Sequence, residues 1–350
     1  RKFKDPQEAL AYIQEIYKAQ TDYLDARFLE FAGGKTPDKR ISAYYPYIKI
    51  ETGNANRADT RLSYGFVDKP GTYMATVTRP CDIFDYYLAE QMRLLINNHG
   101  CSVEIGVSDT PIPLHFALSD DLHLESELDE LQIQALAQRF DMPDLTIMDD
   151  EIANCTYLAN VGEPAPLSMF SAPRIDLSLM RLRHYTGTSA THVQNYIIFT
   201  NYQFYIDEFT RICRELMTET DDPLLRRERS EYTAFVEPGN KVTVNKNLDN
   251  PGEQDQAGRP LSRMPQMPAF HLKRADGSGI TMVNIGVGPS NAKTITDHMA
   301  VLRPHAWLML GHCAGLRNTQ KLGDYVLAHA YLRHDHVLDQ DLPTYIPLPA

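Results

Sequence analysis

Residues 280–315 restrict the fold more than any other part of the chain. Ile280–Val287 is a short apolar run rich in Ile and Val, closed by Gly288-Pro289. Ser290 can cap a following helix that carries Ile295, Met299 and Leu302. Ala306–Leu310 is a second apolar run, ending in Gly311-His312-Cys313-Ala314-Gly315. Strand, helix and strand at this spacing form a βαβ unit, with a right-handed crossover and parallel strands. Parallel strands are covered on both faces, which suits runs that are continuously apolar. Asp324–Tyr331, introduced by Gly323, reads as a third strand. The two glycine-rich segments are then expected side by side at the carboxyl edge of the sheet, where open α/β sheets bind ligands.

A chain of 350 residues has room for two domains. Its 34 Lys+Arg against 46 Asp+Glu argue against a nucleic-acid surface. A few local arginines or a helix N-terminus can still hold a phosphate. The five cysteines (Cys81, Cys101, Cys155, Cys213 and Cys313) are scattered and form no CxxC pair, so neither a disulfide framework nor a zinc site is expected. No run of 18 apolar residues is present, and no membrane span is expected. The start, RKFKDPQEAL, lacks both the apolar core of a signal peptide and an initial Met, as in a segment of a longer chain. The expected compartment is a reducing cytoplasm.

Asp5 caps a first helix, with Pro6 at N1 and Glu8 at the reciprocal capping position. Leu10, Ile13, Ile16 or Tyr17, Leu24 and Phe28 form its buried stripe, and Gly33-Gly34 ends it. Residues 35–60 are turn-rich and aromatic and suggest no single element. Tyr64–Val67 and Tyr73–Thr78 read as strands joined by Lys69-Pro70-Gly71. Asp82 caps a helix with Phe84, Leu88, Met92 and Leu95 on one side, stopped near His99-Gly100. Ser102–Val107 is a further strand, and a helix over about 126–140 buries Leu128, Leu131, Ala135 and Phe140. The pattern gives an amino-terminal α/β or α+β domain over 1–165 and an α/β domain over 166–350, divided by a proline-rich stretch. In the second, a long helix is expected from roughly His192 to Met217, with more aromatic residues than one core face can hold. Residues 218–268, rich in Pro, Gly, Asn and Asp, read as a polar insertion with strands at Thr233–Val236 and Lys241–Val244.

Three segments carry candidate chemistry. In GVGPSN, Gly286 and Gly288 let a ligand approach backbone N–H groups, with Ser290 and Asn291 at a helix start; a tight turn with no guest explains them equally. The segment is neither a dinucleotide fingerprint nor a Walker A loop. In GHCAG, Gly311 and His312 can face an anion or ribose hydroxyl, or His312 can be a satisfied buried side chain, while Cys313 reads as a small buried hydrophobe. Arg174, Arg181, Arg183 and His184 can form an anion pocket, or lie on a solvated face with ion pairs to Asp176. Asn201 and Tyr202 stand among aromatics that can stack and hydrogen-bond a purine. Arg57, Arg61 and Arg79 are candidates for a regulatory phosphate site, with ordinary surface charge as the alternative. His334 and His336 lack a third ligand at convincing spacing, so no metal is expected.

RIDLSLMRLRHYTGT (174–188), NYIIFTNYQFYIDEF (195–209), NIGVGPSNAKTITDHM (284–299) and GHCAGLR (311–317) resemble bacterial AMP nucleosidases. VTRPCDIFDYYLAEQMRLLINNHG (77–100) and GVSDTPIPLHFAL (106–118) resemble that family's amino-terminal domain. The resemblance implies hydrolysis of AMP to adenine and ribose 5-phosphate in purine salvage. It implies a phosphorylase-like mixed-sheet catalytic domain, a homohexamer, no required cofactor, activation by ATP with magnesium and inhibition by phosphate. Related phosphorylases hold an arginine and a serine in the second strand-end loop, at places that look like Met309 and His312 here; loss of the arginine suits water as the attacking group. The family's acid lies in a segment resembling D-M-E-S-A beyond the third strand. No such segment occurs in these 350 residues, so the catalytic domain reads as truncated at its carboxyl end, with the acidic residue expected beyond Ala350. Two other functions fit the same motifs: a purine nucleoside phosphorylase, and a nucleotide-sensing module without turnover.

Overall fold

Helix α1 (Pro6–Ala32) begins where local chemistry places it. Asp5 accepts the backbone N–H groups of Gln7 and Glu8, Pro6 occupies the first turn, and Gly33 follows the last residue. Leu10, Ile13, Ile16, Tyr17, Leu24 and Phe28 are buried, the stripe that the spacing predicts. The computed structural model describes all residues except 54–64, 119–127, 149, 155, 159, 333, 335, 337–342 and 350. These residues form two compact units, Arg1–Met180 and Arg181–Ala350. The sequence places the division at 165/166; here it falls within one helix, α5 (Ala172–Thr186).

The first unit is built on a five-stranded sheet in the order β1-β4-β2-β3-β5. Its centre, β2 (Tyr44–Thr52), comes from the turn-rich, aromatic stretch 35–60, whose sequence suggests no single element. Alternation there is broken by aromatic and charged residues, yet Tyr45, Ile48 and Ile50 are all buried. β2 pairs antiparallel with β3 (Gly71–Thr76) and β4 (Val103–Pro111). The expected hairpin partner of β3 is not found: Tyr64 lies outside the described residues and Gly65–Val67 form no ladder. Short β1 (Lys2–Phe3) and β5 (Ala165–Pro166) close the edges. Helix α2 (Asp85–His99) starts two residues later than an Asp82 cap suggests. Asp82 instead accepts the next backbone N–H, from Ile83, and Gly100 in the left-handed region ends the helix. A one-turn helix, α3 (Leu114–Ala117), precedes α4 (Glu130–Arg139), which opens on an Asp129–Gln132 capping box. Leu131, expected inside, is exposed; Leu136 is buried in its stead, because 131 and 136 lie on different sides of the helix. Phe28 and Phe31 of α1 meet Phe140 edge-on at 6.5 and 5.5 Å in the main core.

Asp176, near the start of α5, is buried in this unit. It accepts hydrogen bonds from Tyr45 Oη at 2.6 Å and Thr78 Oγ1 at 2.9 Å. It does not pair with Arg174 as expected. Arg174 is committed to Asp150 at 2.8 Å and to Ser178.

The second unit holds a six-stranded sheet in the order β11-β6-β10-β9-β7-β8. The helix expected over 192–217 is instead strand β6 (Tyr196–Thr200) followed by helix α6 (Gln203–Met217). Apolar residues at 193, 197 and 204 mimic helical spacing, but the run Tyr-Ile-Ile-Phe-Thr is β-forming and is paired on both sides. β10 (Ile280–Asn284), β6 and β11 (Ala306–Leu310) are parallel, while β9 (Ala269–Lys273), β7 (Ala234–Glu237) and β8 (Lys241–Val244) run antiparallel in succession. Side chains alternate across the sheet. Val283 joins Leu182, Ile295 and Met299 on one face, and Met282 joins Ile206, Cys213 and Met217 on the other. Within the polar stretch 218–268 the two expected strands form as the β7–β8 hairpin of the sheet, its Ala234–Glu237 strand buried, and α7 (Pro223–Arg229) precedes them. The third parallel strand expected at 324–331 is also absent. Only β12 (Ala330–Tyr331) forms, antiparallel to β13 (Leu348–Pro349) in a sheet of its own. Among the described residues, no helix is long and apolar enough to cross a membrane.

Candidate functional site

Three parallel strands deliver their carboxyl ends to one edge of the second sheet. Asn284 of β10, Thr200 of β6 and Leu310 of β11 stand in register across the ladder. The turns after β10 and β11 therefore share that edge. They are not neighbours as expected, because β6 lies between them and two strand spacings separate them by roughly 10 Å. A crossover sequence carries no local sign of which strand it skips. The place between the turns is taken by Asn201-Tyr202, which follow β6.

Gly286 (φ 65°) and Gly288 (φ 110°) hold backbone that favours glycine. Gly288, not Ser290, is the N-cap of helix α8 (Pro289–Met299); Pro289 takes the first position, and no side chain caps the turn. A fixed-φ proline pre-sets the helix two residues earlier than a serine cap at Ser290 would. A Cβ at Gly288 would meet no atom within 4 Å, so the first-turn N–H groups stand at an open turn. Asn284 stiffens it: its Oδ1 accepts the Gly286 N–H at 3.0 Å, and its Nδ2 donates to Gln203 Oε1 at 2.9 Å. Asn291 Nδ2 donates to the Val287 carbonyl at 3.3 Å.

On the other side, His312 is exposed and set among rings. Its ring centroid lies 4.2 Å from Tyr202 and 5.4 Å from Phe204, and its Nε2 is 3.0 Å from Tyr205 Oη. The alternative of a buried histidine is thereby corrected, and Cys313, read as a buried hydrophobe, is exposed as well. The loop stands clear of any packed layer. The edge thus combines backbone N–H groups, amide side chains and the half-exposed ring of Phe204.

Comparison with known proteins adds a second line of observation. Residues 8–164 match the family model described as bacterial AMP nucleoside phosphorylase N-terminus. Over 352 aligned residues the chain is 40% identical to AMP nucleosidase of Escherichia coli K12, covering 99% of this chain and 69% of that protein. The protein of the same name from Escherichia coli O157:H7 matches to the same extent. The chain belongs to the AMP nucleosidase family. A crystal structure of AMP nucleosidase from Bacteroides thetaiotaomicron aligns at 23% identity and a TM-score of 0.33, covering 50% of this chain and 57% of that one.

The arginines expected at the site of this AMP nucleosidase family member are placed differently from the glycine turns. Arg181 donates to Tyr185 Oη at 2.6 Å and lies over the same ring. Tyr185 stacks on His298 in the last turn of α8, the end away from Gly286–Ser290. His184 also rests against Tyr185, and Arg183 shares the helix. In the first unit, Arg79 adopts a left-handed backbone (φ 49°) and pairs with Asp82 at 3.4 Å. Arg57 and Arg61 lie outside the described residues, as does Asp335 between His334 and His336. Among the described residues, no group of three His, Cys, Asp or Glu side chains is placed to hold a metal ion. Asn284 and Phe204 complete the edge without having been singled out as site residues. The readable signal for Asn284 is an Asn two positions before a strand-end glycine, the spacing at which its side chain takes the glycine N–H.

Proposed function

We propose that the complete protein hydrolyses the N-glycosidic bond of AMP, giving adenine and ribose 5-phosphate. The observation that carries the reading is the convergence of three strand ends at one edge, with Gly286–Asn291, Asn201-Tyr202 and Gly311-His312 brought together there. Membership of the AMP nucleosidase family supports the same chemistry.

The N–H groups of the Gly286–Ser290 turn and the amino end of α8 suit the 5′-phosphate or a ribose oxygen. Asn201, Asn291 and His312 are polar groups for hydroxyls, and the rings of Tyr202 and Phe204 supply a face for the purine. Anchoring the phosphate lends binding energy to the reacting centre. The C1′–N9 bond breaks with its electron pair going to the purine, water adds at C1′, and the departing base takes up a proton. An acid at the purine speeds that departure. We assign it to a segment outside residues 1–350, since nothing within them resembles the family's D-M-E-S-A pattern.

Incubation of full-length protein with AMP, with and without inorganic phosphate, tests the reading. Hydrolysis gives adenine and ribose 5-phosphate at a rate that needs no phosphate. A phosphate-dependent sugar product, phosphorylated at C1′, overturns it in favour of phosphorolysis. The assignment of the acid fails if residues 1–350 alone hydrolyse AMP at the full-length rate.

A further inference from the structure

A row of polar groups crosses the site edge of the second unit, from helix α6 to the glycine turn after β10. Asp207 Oδ1 accepts from Gln203 Nε2 at 2.9 Å, one turn back along α6. Gln203 Oε1 accepts from Asn284 Nδ2 at 2.9 Å, and Asn284 Oδ1 accepts the Gly286 N–H at 3.0 Å. The two ends fix the direction of the row. A carboxylate only accepts and a peptide N–H only donates. Reversing either amide between them, or both, loses two of the three bonds.

The row joins two turns that the sheet leaves to diverge. Thr200 and Asn284 are ladder partners, and the Ile285 N–H still reaches the Thr200 carbonyl at 2.9 Å. Past that point β6 runs through Asn201-Tyr202 into α6, and β10 runs through the Gly286–Gly288 turn into α8. Gln203 is the first residue of α6 and Asn284 the last of β10. Their two amides therefore tie the end of one turn to the start of the other.

The glycine turn has need of such a tie. Gly286 and Gly288 both sit at positive φ, where glycine moves freely and supplies little stiffness of its own. The turn's other side-chain bond, from Asn291 Nδ2 to the Val287 carbonyl, is longer at 3.3 Å. The row also sorts the donors. Asn284 takes up the Gly286 N–H and Pro289 has none, so the first-turn N–H groups of Ser290 and Asn291 are the ones turned toward a guest.

We infer that Asn284 is a positioning residue for the sugar-phosphate part of the substrate. Braced by Gln203 and Asp207, it holds the Gly286–Gly288 turn at a set spacing from Asn201-Tyr202, so that both turns meet the oxygens of ribose 5-phosphate together. The inference rests on the nucleotide-cleaving reading of this edge and adds the device that keeps its two halves in place. Asn284 acts through the turn and touches no reacting atom. Donors held ready lose little freedom on binding, whereas a misplacement of about 1 Å can cost about a hundredfold. Asn284 is half-buried and Gln203 and Asp207 are exposed, so the row bears on the site far more than on folding.

Calorimetric titration of full-length protein with ribose 5-phosphate, adenine and adenosine tests it. Asn284→Ala is expected to weaken ribose 5-phosphate about tenfold and to leave adenine within about twofold. Gln203→Ala, which removes the brace from an exposed position, is expected to weaken the sugar phosphate about threefold. The double variant is expected to stay near tenfold, because both changes cut one row; a loss of about thirtyfold means independent effects and overturns the inference. Adenosine carries ribose without phosphate. If it weakens along with ribose 5-phosphate, the turn reads ribose oxygens; if it does not, the turn reads phosphoryl oxygens. Equal weakening of adenine and ribose 5-phosphate marks a general loosening of the unit and overturns the inference. So does unchanged ribose 5-phosphate affinity in Asn284→Ala, or its failure to bind the unaltered protein. Turnover separates this inference from the AMP reading. In Asn284→Ala, kcat/KM for AMP is expected to fall about tenfold as well. AMP cleavage that is the same in the variant and the unaltered protein sinks the positioning role alone. No cleavage by the unaltered protein sinks the AMP reading, and the ribose 5-phosphate titration still decides the role of Asn284.

Discussion

Each unit buries one titratable side chain in a web of hydroxyl groups, and the two webs solve the same problem in opposite ways. Asp176 in the first unit is surrounded by donors. Tyr45 and Thr78 give it hydrogen bonds, Thr78 Oγ1 also lies 3.3 Å from Tyr17 Oη, and Arg79 and Asp82 stand nearby. Burial outweighs those donors and pushes its carboxyl up to about 7. His271 in the second unit, on β9, is buried between Thr188 at 2.8 Å and Thr281 at 2.9 Å. Burial first, then His192 and Lys273, hold it well below the usual histidine range. Desolvation penalises charge of either sign, so an acid and a base in equally dry surroundings move apart. The two units should therefore respond to pH in opposite directions.

The largest expected effect comes from deleting either node. Asp176→Ala leaves the Tyr45 and Thr78 hydroxyls without their acceptor in a sealed site, a loss of about 4 kcal/mol in the first unit. His271→Ala strands two threonines and opens a cavity, a loss of about 3 kcal/mol in the second. Hydrogen exchange resolved by peptide reads each unit, and the fluorescence of Trp307, the chain's one tryptophan, reads the second. A loss spread equally over both units for either variant would break the comparison.

Next in size is the pH response itself. Asp176 has a folded value raised above its unfolded one of about 3.9. Its contribution is fully present below that value and is lost as pH rises through about 7. His271 has a folded value depressed below its unfolded one of about 6.5. Its contribution is present above about 6.5 and is lost as pH falls toward the folded value. Between pH of about 5 and about 8, protection attributable to Asp176 falls in the first unit and that attributable to His271 rises in the second. Asp176→Asn sharpens the test. The amide keeps the shape and cannot titrate, so it costs about 1 kcal/mol at acid pH and flattens the first unit's profile while leaving the second unchanged.

Neither node was legible in the sequence, and the reason is distance along the chain. Asp176 meets Tyr45 across 131 residues and Thr78 across 98; in sequence it sits beside Arg174, which invites an ion pair that does not form. Local signals fared better. Asp5-Pro6 and the stripe from Leu10 to Phe28 place α1 correctly because every term lies within one helix. A strand starting at Ile280 and a helix after it were readable for the same reason, although the strand ends at Asn284 rather than Val287 and the helix is capped by Gly288 rather than Ser290. The strand order was not, since β6 slips between β10 and β11 without leaving a mark on either. The candidate site was half readable. Gly286, Gly288, Gly311 and Asn201-Tyr202 reach one edge because their strands are parallel, whereas Arg181 turns to Tyr185 through a contact inside its own helix.

The smallest effect asks how His271 stays neutral. Thr281 Oγ1 accepts the Gln194 N–H at 2.8 Å, so its own hydrogen is available for His271 Nδ1. Thr186 Oγ1 donates to the Leu182 carbonyl at 2.7 Å and lies 3.1 Å from Thr188 Oγ1. Thr188 can then donate to Thr186 and accept from His271, which puts the imidazole hydrogen on Nε2. Each hydroxyl gives once, and the row runs one way from Gln194 to helix α5. Protonation at Nδ1 would turn the Thr281 hydrogen away from its only acceptor in that row. Thr281→Val should therefore raise the pH at which the acid-side loss of the second unit levels off, because the onset near about 6.5 belongs to the unfolded chain and the removed bond favours only the neutral ring. Thr188→Val should cost a similar amount, about 1 kcal/mol, yet leave that pH in place, because Nε2 carries hydrogen in both charge states. Nitrogen NMR of labelled histidine reads the tautomer directly. A neutral ring with its hydrogen on Nδ1 would reverse the row and predict the opposite pair of results.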